Sequence, residues 1–200
     1  MRDLLDFLPH VLPHAMACPD PVAVKFLREA AQEFCARTRI WRQTDEFPSS
    51  AEEDEIICVP PHASLHEIDE AWMDNARLTP RRFDEVFGRD IAPGQPKFIT
   101  QAGPDRVSLT PRGAGTLRIS MFLKPAEGAD LVPAMLYDHH ARTIGWGALR
   151  EVLMLPNQPF SDPQKSLMFG ARFDQAVNRH FATNIVGQHR ARGRANAQFF

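Results

Sequence analysis

The segment that decides the fold runs from Pro133 to Gly187: "PAMLYDHHARTIGWGALREVLMLPNQPFSDPQKSLMFGARFDQAVNRHFATNIVG". In its first half Tyr137, Ala141, Ile144, Ala148 and Val152 recur at helical spacing, and Pro156 ends the pattern. The loop "PNQPFSDP" turns the chain. Phe169, Phe173, Val177, Phe181 and Ile185 then form a four-residue ladder, with Lys165, Arg172 and Arg179 off it. A helix from Pro163 to Val186 would be roughly 36 Å long at about 1.5 Å per residue. The two patterns and their short loop predict an antiparallel helix pair. Ala141, Gly145 and Ala148 are small, as is Gly147. A helical glycine costs about 0.5–1 kcal/mol against alanine, so these positions predict a close helix contact.

Working outward, "CPDPVAVKFLREAAQEFCARTRIW" (Cys18–Trp41) opens in the same way as the last helix. Asp20 and Asp162 each precede a proline and are expected to cap the first free N–H groups, with the proline in the first turn. Ala23, Leu27, Ala30, Phe34 and Trp41 lie near one face, Phe26 beside them. The middle, 44–126, changes character: "EIICVPP", "ASLHEIDEAWM", "PKFITQ", "DRVSLTP" and "TLRISMFLKP" are short, partly alternating and bounded by turn residues. "DNARLTP" reads as a turn and second hairpin strand, and "TPRRFDEVFG" as a two-turn helix capped by Thr79. The acidic run "DEFPSSAEEDE" (Asp45–Glu55) reads as a solvated loop.

The expectation is therefore an α+β fold: an antiparallel helical bundle with a small β-rich insertion and an extended C-terminal arm. Residues 1–43 give the N-terminal helices of the bundle, 44–126 the insertion, 127–187 the C-terminal helices and 188–200 the arm.

Composition narrows the function. The chain has 200 residues, 44% of them hydrophobic, and a net charge of -2. That charge excludes a bulk nucleic-acid or membrane-surface coat. Cys18, Cys35 and Cys58 are odd in number, widely spaced and without a CxxC pair, which fits assembly in a reducing cytoplasm. No apolar stretch approaches the roughly 20 residues that cross a bilayer. "MRDLLDFLPHVLPHAMA" makes a poor signal peptide.

Candidate chemistry is sparse. Asp138, His139 and His140 could ligate a metal in a metal-dependent hydrolase. Adjacent helical residues point about 100° apart, however, so both histidines cannot face one ion unaided. Packing or interface histidines are the expectation. There is no GxSxG elbow, P-loop or GxGxxG fingerprint, and Cys35 sits in helical context beside Phe34. No catalytic residue, metal or cofactor is predicted.

The chain ends "GQHRARGRANAQFF" (Gly187–Phe200). Arg190, Arg192 and Arg194 at period two would share one side of a strand, with Phe199 and Phe200 as terminal anchors. Fully extended, this segment reaches roughly 45–50 Å. Three arginines alone would give only weak, salt-sensitive nucleic-acid binding. The composition fits a solvated end or a docking arm.

"LPHVLPHAMACPDPVAVKFLREAAQEFCARTRIW" and "LTPRRFDEVF…GQPKFITQ…TLRISMFLKP…GALREVLMLPNQPFSDPQKSLMFGARFDQAV" resemble tailed-bacteriophage head–tail adaptor (head-completion, connector) proteins. They are similar to the tubular tail proteins of short-tailed phages. The resemblance covers most of the chain in order and rests on structural motifs. It implies a non-enzymatic virion protein at the head–tail junction, made in the host cytoplasm. About twelve copies would form a ring. Its partners would be the portal protein, a downstream tail protein (a nozzle, tail-tube or stopper component) and copies of itself. DNA would pass through the ring lumen without sequence-specific binding. By the same resemblance, Arg190, Arg192, Arg194, Phe199 and Phe200 would form a portal-docking arm. The acidic loop and the histidine pair match no feature of that family.

Overall fold

The computed structural model describes residues 1–82 and 92–186, with side chains as far as His180. A central strand of the larger antiparallel sheet, β9 (Gly115–Pro125), sets the architecture. Leu117, Ile119, Met121 and Leu123 alternate along it and are fully buried, the period-two signature of a strand with one face on the core. On one side it pairs antiparallel with β2 (Arg42–Ser49), and on the other with β4 (Ala63–Met73). The sheet order is β2-β9-β4-β5, with β5 at Ala76–Arg77. Asp74 and Asn75 both have positive φ in the two-residue turn from β4 to β5, the backbone that a tight hairpin demands. Asp74 also accepts a hydrogen bond from the Thr116 N–H at 2.9 Å, tying that turn to β9.

A second sheet has the order β3-β8-β7-β6, from Ile56–Ile57, Arg106–Thr110, Phe98–Gln101 and Thr79–Arg81. The β6–β7 pair is parallel and the others are antiparallel. The Leu65 N–H donates to the Pro104 carbonyl at 2.6 Å, and Gln101 Nε2 to the Leu65 carbonyl at 3.1 Å, so the sheets are pinned together. A third, minimal sheet joins β1 (Arg2–Asp3) to β10 (Leu131–Val132). It sets a 3-10 helix, Leu4–His10, against the helical layer, with Leu4 and Phe7 fully buried.

The helices are α1 (Asp20–Thr38), α2 (Ala134–Val152) and α3 (Pro163–Val186). α1 lies between β9 and α2. Its Gln32 Nε2 donates to the Pro125 carbonyl at 3.1 Å, and Arg28 Nε to the Ala129 carbonyl at 2.6 Å. α2 is buried on several sides, against α1, α3 and the 3-10 helix. Helix and strand side chains belong to one contiguous hydrophobic core.

The expected helical bundle with a small β-rich insertion is thus corrected. Ten strands in three sheets are present among the described residues, and β9 carries a full share of the core. Single short strands suggested a minor appendage, yet pairing turns them into a half-buried layer that α1 must cover. The stretch expected as a solvated acidic loop is corrected in its first part, because Arg42–Ser49 is an edge strand, whereas residues 50–55 do form a largely exposed turn. Its charges fit an edge, where alternate side chains face water and acids or Pro48 discourage further pairing. Thr79 is not a helix cap but begins β6, and the remainder of that expected helix lies outside the described residues.

Candidate interaction surfaces

The helix starts come first, since they place everything on α2 and α3. At α1 the N-cap is Pro19, which makes no side-chain capping bond; Asp20 is the first helical residue. The expected Asp20 cap is therefore corrected, and its carboxylate acts on the helix dipole from within the first turn. At α3 the Asp162 carboxylate accepts from the Lys165 N–H at 3.0 Å, and the Asp162 carbonyl accepts from the Ser166 N–H at 2.9 Å. Lys165 Nζ lies 2.9 Å from the same carboxylate. The bonds from the Lys165 side chain and its N–H hold the Asp162 carboxyl below its usual range.

Ala141 and Ala148 are buried on α2. A Cβ at Gly145 would come within 2.8 Å of His10 Cβ, so this glycine admits the 3-10 helix. A Cβ at Gly147 would meet Ala30 Cβ of α1 and Phe173 Cε2 of α3, each at 2.9 Å. At Gly147 all three long helices come into close contact, a role that its sequence context as one small residue among several does not single out.

Around Phe173 an ion network joins the same three helices. Glu33 of α1 reaches Arg37 at 2.8 Å and Arg150 of α2 at 2.7 Å; Arg37 reaches Asp174 of α3 at 2.6 Å; Arg150 also reaches Glu151 at 2.8 Å. Burial works against a charged Glu33, but hydrogen bonds from Arg150 and Arg37 outweigh it and hold its carboxyl below the usual range. The guanidinium carbons of Arg37 and Arg150 lie 6.0 and 5.4 Å from the Phe173 ring centroid. A buried ring with cations over its face is a rigid joint. No single residue in the sequence announces this network, because its members come from three distant segments.

Asp138, His139 and His140 do not converge. Asp138 and His139 are exposed, whereas His140 turns into the helix junction. Its ring lies 4.9 Å from Phe34 and 4.6 Å from His180, centroid to centroid. Among the described residues no group of three or more His, Cys, Asp or Glu side chains is placed to hold a metal ion. The three cysteines are free and buried, and burial pushes their thiols up, away from the thiolate that a nucleophile needs.

Surface features remain. A cleft of about 840 Å³ at the end of β9 is lined by Gln32, Ser64, Asp105, Arg106, Lys124 and Glu127 among others. Its Arg106 is held by Asp105 and Glu55 at 3.0 and 2.9 Å, so the charges there are largely matched internally. Met154, Leu167 and Met168 are exposed where α2 hands over to α3. Arg190, Arg192, Arg194, Phe199 and Phe200 lie outside the described residues. No described helix is long and apolar enough to cross a membrane.

Helices packed over sheets, ion pairs that join segments and an exposed apolar edge are what the described residues offer. The class comes from comparison with known proteins. A family model described as SU10 adaptor protein matches residues 2–198, nearly the whole chain and most of the C-terminal segment. The chain belongs to the SU10 adaptor protein family and is a viral adaptor protein, a component of the virion. No curated protein matches it. Membership agrees with the resemblance to phage head–tail adaptors, and an adaptor's work is binding, not catalysis.

Proposed function

We propose that this adaptor forms a ring between the portal and the tail, closes the head after DNA packaging and gives the tail its docking platform. The observation that carries the reading is the family match across residues 2–198. Copies of the chain, about twelve, would meet head to tail, the arrangement that closes into a ring. A downstream tail protein would bind the opposite face, and DNA would cross the lumen without sequence-specific contacts.

The segment 188–200 is the portal-docking arm in this reading. It follows α3, whose 24 residues make a rod of roughly 36 Å. Arg190, Arg192 and Arg194 set register along a partner strand, and Phe199 and Phe200 anchor the end. The segment lies outside the described residues, whose buried core runs from Leu4 to Val177. Removal of residues 188–200 is therefore expected to leave thermal unfolding within a few degrees of the full chain while portal binding, read by co-sedimentation, drops sharply. Normal binding by the truncated chain would exclude the arm.

A further inference from the structure

We infer that the contact of His140 with Phe34 and His180 is an acid-sensitive latch, which seats α3 on α1 and α2 and loosens when His140 takes up a proton. Three helices meet at this ring. His140 comes from α2 and is only 7% exposed. Phe34 of α1 lies 4.9 Å away and His180 of α3 4.6 Å away, the latter nearly perpendicular at 86°. Phe34 and His180 also touch edge-on at 5.8 Å, which closes the triangle. Among the described residues the buried His140 Nδ1 finds no hydrogen-bond partner.

Burial and the two neighbouring histidines oppose a positive charge on it. On α2, exposed His139 stands 6.2 Å away, beside exposed Asp138. On α3, His180 faces the ring, and Arg179 lies next to His180 in sequence and acts on it. On α1, Phe34 makes the contact, while Glu33 and Arg37 are engaged with Arg150 and Asp174. Among the described residues no carboxylate is paired with His140 to receive the proton's charge.

Burial, then His180 and His139, pushes His140 down to about 4 from 6.5. Burial, then Arg179, lowers His180 as well. The seated state therefore binds the proton less well than an open one, in which His140 regains its ordinary affinity. The latch is fully present above pH 6.5 and is lost progressively as pH falls towards 4. The opening constant should rise roughly tenfold by pH 5.5 and roughly 30-fold by pH 5. Most of that window precedes protonation of Glu33, whose carboxyl lies below its usual range.

The test is amide hydrogen exchange along α3 in the full chain, corrected for the intrinsic pH dependence, in wild type and His140→Phe. In wild type, exchange around Phe169–Val177 should speed up roughly 10- to 30-fold between pH 7.5 and 5. The variant, which keeps an aromatic ring but loses the titrating nitrogen of His140, should accelerate clearly less over that range, with only the contribution of His180 left. An equal acceleration in both proteins would overturn the latch. Should the variant fail to fold, the ring NMR signals of wild-type His140 decide the matter. A neutral ring persisting below pH 5 supports the inference, and an ordinary titration near 6.5 overturns it.

Discussion

The two helices of the C-terminal hairpin solve different problems. α2 is wrapped by α1, α3 and the 3-10 helix, and it buries ten of its nineteen residues. α3 buries Phe169, Phe173 and Val177 along one face and leaves Leu167 and Met168 exposed. A helix apolar on several sides becomes the hub of a core, whereas one with a single apolar stripe lies on its surface. α2 thus carries the cohesion of the helical layer, and α3 is the element with surface to offer a partner.

The largest expected effect strikes the face of α3 that meets α2. Phe173→Ala removes a fully buried ring under two cations, and the loss should be about 3–5 kcal/mol by denaturant unfolding. Next comes the same joint from the side of α2. Gly147→Ala would push a methyl to 2.9 Å from Ala30 and Phe173, and overpacking should cost about 1–3 kcal/mol although alanine favours the helix. A gain in stability would mean that the helices are not in close contact at this point.

Glu33→Gln tests the polar half of the joint. It should destabilise the fold by about 1–2 kcal/mol at neutral pH, since it removes the charge that Arg37 and Arg150 share. A carboxyl held below its usual range contributes stability above its ordinary 4.5 and loses it as pH falls. The difference between variant and wild type should accordingly shrink below about pH 4.5. The smallest effect belongs to the outer surface. Leu167→Ser, at a position 72% exposed, should stay within about 0.5 kcal/mol of wild type. If it costs as much as Gly147→Ala, α3 has no free face and the contrast with α2 collapses.

The sequence reads well where a pattern is local. The four-residue ladder, the opening Asp162–Pro163 and the stripe on α2 mark α2 and α3, and the bounds Pro163–Val186 follow from them. The turn at Asp74–Asn75 is equally legible, since both residues tolerate positive φ. Legibility fails where a partner far along the chain supplies the reason. Asp45, Glu46 and Pro48 are poor strand formers, and only pairing with β9 makes Arg42–Ser49 a strand. His140 flanks the Tyr137–Val152 stripe at helical spacing, so a packing histidine is legible there, but its partners Phe34 and His180 come from distant segments and are not. Asp20 shows a local signal misplaced by one residue, for Pro19 holds the cap instead. The ion network around Phe173 has no local signal at all.

Density for the chain assembled on portal would test the adaptor reading most directly. The account predicts a ring of this protein between portal and tail, with residues 188–200 laid against the portal and α3 leading into them. A map with the chain elsewhere in the virion, or with that segment away from the portal, would contradict it.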